Sequence, residues 1–223
     1  MNFILPILFT VIIPLKSLLA FTIVIDPGHG GADHGAVRGS IIESKIALSI
    51  AKKLVSKFEN DSNTKIIYTR NSDNPISLKN RVKVSQQNEA DLFISLHGNS
   101  SVDSRARGAE FYFGSSNSPQ IDSSNDSSTQ KIIRDLIYNS RLYQSQFFAL
   151  DSFKIWKSSN GSPARSIRQA PFYVINKNNS PSILVEFGFI TNPKESLELL
   201  KDEQQELIAK NLYTAIQEYR EKK

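Results

Sequence analysis

At 223 residues the chain is long enough for one domain with a full hydrophobic core and too short for two. It contains no cysteine, which excludes thiolate metal ligands, a cysteine nucleophile, disulfides and a lipidated cysteine. The 27 Lys and Arg against 22 Asp and Glu give a net charge of +5, spread thinly along the chain and joined by no nucleic-acid-binding motif.

Residues 1–20, MNFILPILFTVIIPLKSLLA, carry no acidic residue and one Lys, Lys16. They read as a signal peptide for export, too short to span a bilayer securely and ending on the small residue Ala20. The alternative is a retained N-terminal anchor, and either reading places residues 21–223 outside the cytoplasm. Thr22 to Asp26 is a predicted strand, and a Gly-rich loop from Pro27 to Gly39 leads to a helix over Glu43 to Phe58 with Ile46, Ile50, Leu54 and Phe58 on one face. A strand at Lys65 to Thr69 precedes a helix from Leu78 to Glu89, for which Ser77 is the expected N-cap, and the strand Leu92 to Leu96 follows. Gly108 to Gly114 reads as a further strand. Seven of the sixteen residues from Ser115 to Gln130 are serine, so this stretch should be a surface loop. Lys131 to Phe148 returns to helical spacing through Ile132, Leu136, Tyr143 and Phe147. A second loop is expected around Ser158 to Ser166, then strands at Phe172 to Ile175 and Ile183 to Phe187, and a closing helix from Gln204 to Arg220. Strands alternating with helices predict a single α/β domain, a mostly parallel mixed sheet with helices on both faces.

Two of the chain's three histidines, His29 and His97, directly follow apolar β-branched runs that read as buried strands. In open α/β sheets the site lies beyond the carboxyl ends of the strands, so polar groups delivered there from distant parts of the sequence converge. Without cysteine, a zinc ion must use His and carboxylate, and two His with one carboxylate is an established hydrolytic ligand set that leaves room for water. His29, His97 and Glu43, in the first turn of the following helix, meet that requirement. Glu43 alone carries little weight, because the helix dipole favours Glu there anyway. His34, in the same loop as His29, is the competing third ligand and is read as an exposed loop residue. Glu186 ends the apolar run SILVE, where a charge is costly unless it reaches a site or a partner. It is therefore a candidate general base that takes a proton from water and passes it to a leaving amine, the alternative being a buried ion pair with an Arg such as Arg81.

The segments IVIDPGHGGADHGA, IIESKIALSIAKKL, YTRNSD, LKNRVKVSQQNEADLFISLHGN, RGAEFYF, IRQAPFYVI and SPSILVEFGFITNPKE, in this order, resemble the zinc-dependent N-acetylmuramoyl-L-alanine amidases of the AmiA/AmiB/AmiC type. The resemblance runs from Thr22 nearly to the C-terminus. It implies Zn2+ on His29, Glu43 and His97, Glu186 as the catalytic glutamate, and peptidoglycan as the substrate, cut at the amide between the lactyl group of N-acetylmuramic acid and L-Ala of the stem peptide. It also implies a periplasmic or cell-wall-associated protein, expected as a monomer without a membrane span in the mature chain, and a division-site activator as a possible partner. The chain departs from the pattern at His34, where Pro is usual, at Gly98, where Ala is usual, and at Ser166, where Gly is frequent. With no wall-targeting domain before Thr22 and no repeat after Lys223, a bare catalytic domain is expected. The segment Ser115 to Gln130 takes the place of an occluding insertion and is too polar and short to act as one, so little autoinhibition is expected.

Other classes fit less well. Gly28, Gly30 and Asp33 do not complete a dinucleotide-binding G-x-G-x-x-G, and the S-x-x-K matches at Ser49 and Ser128 have no following K-[ST]-G. The remaining alternatives are a non-catalytic wall-binding protein that keeps the fold, or another zinc peptidoglycan hydrolase such as a carboxypeptidase.

Overall fold

The computed structural model describes residues 20–115, 127–161 and 163–223. Residues 1–19 of the expected signal peptide and most of the serine-rich stretch lie outside them. Among the described residues no helix is long and apolar enough to cross a membrane.

Six strands form one sheet: β1 (Phe21–Pro27), β4 (Thr64–Tyr68), β5 (Leu92–Asn99), β6 (Ala109–Phe113), β7 (Ala164–Gln169) and β8 (Ser182–Phe189), in the order β4-β1-β5-β8-β6-β7. The first four in that order are parallel; β6 runs antiparallel to β8, and β7 runs parallel to β6. The sheet is thus mixed and mostly parallel, as predicted. Strands β1, β5 and β8 are buried on both faces, which is why they read as unbroken apolar runs rather than alternating ones.

Helices cover both faces unequally. The larger core joins Ile23, Ile25, Ile94 and Val185 of the sheet to α1 (Glu43–Ser56), α3 (Ser128–Ser158) and α6 (Asp202–Glu221) through Ile50, Phe148 and Leu212. The smaller core gathers Val24, Phe93 and Leu184 against α2 (Leu78–Gln87) and α4 (Tyr173–Asn176). A two-stranded ribbon, β2 (Val37–Arg38) with β3 (Ile41–Ile42), sits in the Gly-rich loop, and the short α5 (Pro193–Glu198) follows β8.

The structure corrects four local expectations. Phe172 to Ile175 is the start of α4 rather than a strand, closed by hydrogen bonds from the Asn176 and Lys177 N–H groups to Phe172 and Tyr173 carbonyls, with Val174 and Ile175 both turned into the smaller core. The loop expected up to Ser166 gives way at Ala164 to β7, an edge strand. Helix α3 starts at Ser128, where Ser127 and Gln130 form a capping box, and continues to Ser158. Its stripe Ile132, Leu136, Tyr143 and Phe147 faces outward, 45 to 64 % exposed, while Phe148, Ala149 and Trp156 are buried. Finally, β5 runs past His97 to Asn99 and β8 past Glu186 to Phe189, so both residues lie within strands near their carboxyl ends.

Candidate metal centre

Two buried arginines fix the loop that follows β1. Arg81 forms an ion pair with the fully buried Asp26 at 2.6 Å and donates to the carbonyls of Pro27 and His29, both at 2.7 Å. Arg70 donates to the carbonyls of Pro27 at 2.9 Å and Gly28 at 2.6 Å. Three consecutive carbonyls are thereby held by charged donors, the stronger kind of hydrogen bond. This grip secures a backbone in which His29 itself is left-handed, at φ 56°, a conformation that costs a non-Gly residue free energy. The alternative reading of Glu186, a buried ion pair with Arg81, is not the arrangement found: Arg81 pairs with Asp26.

The imidazole of His29 is then aimed by Asp33, whose Oδ1 lies 2.8 Å from Nδ1, while Nε2 lies 3.1 Å from Oε1 of Glu43. Glu43 is the first residue of α1 and is buried. Its Oε2 accepts from the Ala36 N–H at 2.7 Å, and its Oε1 accepts from the Gly98 N–H at 3.0 Å and lies 2.9 Å from Nδ1 of His97. One ligand atom from each of His29, Glu43 and His97 lies within 4.8 Å of the others. Gly28 allows this approach, because a Cβ there would run into the His97 ring, and at Gly35 it would run into Glu43 and His29.

Burial would raise the Glu43 pKa, but the hydrogen bonds from His29 and His97 outweigh it and hold the carboxyl well below the usual range. His29 is pushed up to about 9, first by its hydrogen bond to Glu43, against a smaller opposing effect of burial. Two imidazoles and an ionised carboxylate, steered to one point with the outer atoms of His29 and Glu43 already hydrogen-bonded, are the donor set of a catalytic zinc site, so the residues fit that ion. His34 is not among the converging donors; its loop carbonyl accepts from the Ser44 N–H instead.

Glu186 pairs in register with His97 on the neighbouring strand. Its Oε2 is shielded from solvent and has no hydrogen-bond partner among the described residues. Burial pushes its pKa up to about 7, with His97 pulling it down and Glu43 and Glu110 pushing it further up. A carboxylate poised near neutrality can both take and release a proton. The three ligand candidates and Glu186 line one open cleft of about 460 Å³, together with Val37 and Thr191.

Two residues outside the expected set belong to this arrangement. Asp33 is recognisable by its place four residues after His29 in a tight Gly-rich turn. Glu110 pairs in register with Glu186 across β6 and β8 and is buried. It carried the signal that singled out Glu186, a charge set in an apolar strand, GAEFYF.

Residues 23–218 match the family model described as N-acetylmuramoyl-L-alanine amidase. The chain is 33% identical over 198 residues to the uncharacterized protein YqiI of Bacillus subtilis, a match that covers 89% of this chain and 84% of the relative. It is also 33% identical over 178 residues to the N-acetylmuramoyl-L-alanine amidase LytC of the same organism; that match takes in 80% of this chain and 31% of the longer LytC. The catalytic domain of CwlV, an N-acetylmuramoyl-L-alanine amidase from Bacillus (Paenibacillus) polymyxa var. colistinus, superposes with a TM-score of 0.75 at 30% identity, covering 91% of this chain and 99% of that domain.

Proposed function

The chain belongs to the N-acetylmuramoyl-L-alanine amidase family and is a peptidoglycan hydrolase of that class, and from that premise we propose that it cuts the lactyl to L-Ala amide with zinc held by His29, Glu43 and His97 and with Glu186 as the base. The observation that carries this reading is the convergence of three ligand atoms within 4.8 Å beside a carboxylate whose Oε2 is unpartnered. Zinc, when bound, would supply Lewis acidity, polarising the scissile carbonyl and making a water more acidic.

The remaining work falls to the chain's own groups. Asp33 keeps Nδ1 of His29 engaged, so that Nε2 faces the centre. The Ala36 and Gly98 N–H groups hold Glu43 from both sides. Glu186 takes a proton from the attacking water and passes it to the departing amine of L-Ala, so that one carboxyl serves both proton transfers. The cleft that the three ligand candidates share with Glu186 is open to solvent.

Glu186→Gln tests the reading. Turnover of purified peptidoglycan should fall by roughly 100- to 10,000-fold, while zinc content, measured by atomic spectroscopy, stays at one ion per chain. Mass analysis of the wild-type digest should show stem peptides with a free L-Ala amine. Other termini, or a variant as active as the wild type, would overturn it.

A further inference from the structure

Four strands place polar side chains in one row. His97 on β5 pairs with Glu186 on β8, Glu186 with Glu110 on β6, and Glu110 with Ser166 on β7. Directly paired residues share a face, so the row runs from the metal centre to the edge of the sheet. At its far end Ala109 pairs with Ala164 but Glu110 pairs with Ser166, which leaves Arg165 as the extra residue of a β-bulge. Regular alternation would send Arg165 to the opposite face from Ser166 and Arg168. The bulge re-aims it, and all three turn to the same carboxylate.

That carboxylate is heavily engaged. Glu110 Oε1 forms an ion pair with Arg165, 2.9 Å from its Nε, accepts from Ser166 Oγ at 3.2 Å, and lies 3.6 Å from Nη2 of Arg168. Oε2 accepts from Asn99 Nδ2 at 2.8 Å and from the Tyr112 hydroxyl at 2.7 Å. Glu110 is buried, yet the side chains of Arg165 and Arg168 are 43% and 55% exposed. Arg165 also stacks over the Phe189 ring, its guanidinium 5.4 Å from the ring centre. Two guanidinium groups are thus braced by one buried carboxylate, and Arg168 Nε also donates to Ser166 Oγ at 3.1 Å, while both side chains stay partly exposed. Glu110 neutralises one of the two charges, and Asp103, which also feels the Arg165 charge, is itself paired with Arg105. The other remains, fixed in geometry, and a fixed fork of N–H donors matches a carboxylate.

We propose that Arg165 and Arg168, aligned by Glu110 and by the bulge in β7, form a subsite for a carboxylate on the stem peptide of the substrate. The proposal rests on the amidase reading above and names what the site recognises beyond the scissile bond. From β8 to β7 is two strand spacings, about 10 Å, the reach of about three extended residues. The recognised carboxylate therefore belongs to one of the first three residues of the stem.

The zinc-loaded enzyme is assayed on two synthetic muramyl peptides: one with a free carboxylate within its first three stem residues, the other with that group converted to the amide. The wild type should favour the carboxylate form in kcat/KM by roughly 10- to 100-fold. Arg165→Gln and Arg168→Gln should each lower that ratio several-fold, the double variant should bring it close to one, and Arg168→Lys should keep part of it. Because the ratio is internal to each variant, partial loss of folded protein does not move it. If the wild type cuts both peptides with equal efficiency, or if the ratio survives in the double variant, the subsite is wrong and the amidase reading stands. If the wild type cuts neither peptide, both fall.

Discussion

Asp33 and Glu186 are both carboxylates at the candidate metal centre, and their surroundings give them opposite character. Asp33 is exposed, and although its slight burial acts the other way, the hydrogen bonds from His29 and the Gly35 N–H hold it below the usual carboxylate range. It suits the role of orienting His29, and Asp33→Ala should weaken zinc binding by roughly 10- to 100-fold in competition with a chromophoric chelator, with an unchanged circular dichroism spectrum. Unaltered affinity would mean that the Arg70 and Arg81 grip on the loop is sufficient by itself. Glu186 is shielded and raised to about 7 from an ordinary value of 4.5. In the metal-free protein its contribution to stability is complete below the unfolded value and is lost as pH rises through about 7, because the native state resists ionisation while the unfolded chain does not. Glu186→Gln removes that cost. The metal-free variant should match the wild type near pH 4 and exceed it above pH 7 by about 1 to 3 kcal/mol, as measured by urea unfolding. Equal stability at both pH values would show that Oε2 is solvated.

Among the elements, those buried on both sides were the most legible in the sequence. β1, β5 and β8 announce themselves as apolar runs, and α1 and α6 as amphipathic periods, because burial dictates their composition. β7 was hidden for the opposite reason: ARSIRQ is an edge strand, half in solvent, and its polar residues answer to Glu110 rather than to a core. In α4, aromatic and β-branched residues favoured a strand, but tertiary packing overrode that preference within a single turn. His29, Glu43 and His97 were legible as a set because two strand-end histidines and one helix-start carboxylate have few other reasons to coincide. Glu110 carried the same kind of signal, a charge in an apolar strand, but only the strand register places it beside Glu186. Helix α3 shows the limit of periodicity, which finds a helix without saying which face is covered. Ile132 and Leu136 are 60% and 64% exposed, whereas Trp156 is 1% exposed and packs edge-on against Phe111 at 5.5 Å. Trp156→Ala should therefore cost about 3 to 5 kcal/mol, and Ile132→Lys with Leu136→Lys should stay within about 1 kcal/mol, both read from denaturant midpoints. A large loss in the lysine pair would reveal that this stripe is covered in solution.

For the whole molecule, the candidate metal centre is a junction. His29 comes from the loop after β1, Glu43 from the start of α1 and His97 from β5, so a bound ion would tie together three elements that the unfolded chain leaves apart. A ligand that binds only the folded state stabilises it by mass action, and zinc at about a thousand times its dissociation constant adds about 4 kcal/mol, or roughly 10 °C in melting temperature for a chain of this size. The effect should depend on pH in a definite direction. Without metal, the raised pKa of His29 means that its protonated form stabilises the fold; that contribution is full below the unfolded value of 6.5 and is lost as pH rises through about 9. Zinc takes the place of that proton, so its affinity rises with pH over the same window. Scanning calorimetry of zinc-loaded and chelated protein should show the gap in melting temperature widening between pH 6.5 and 9, chiefly because the chelated form melts earlier. A gap that stays constant or narrows would mean that His29 is already neutral in the metal-free fold, and that Glu43 is held by the Ala36 and Gly98 N–H groups without its help.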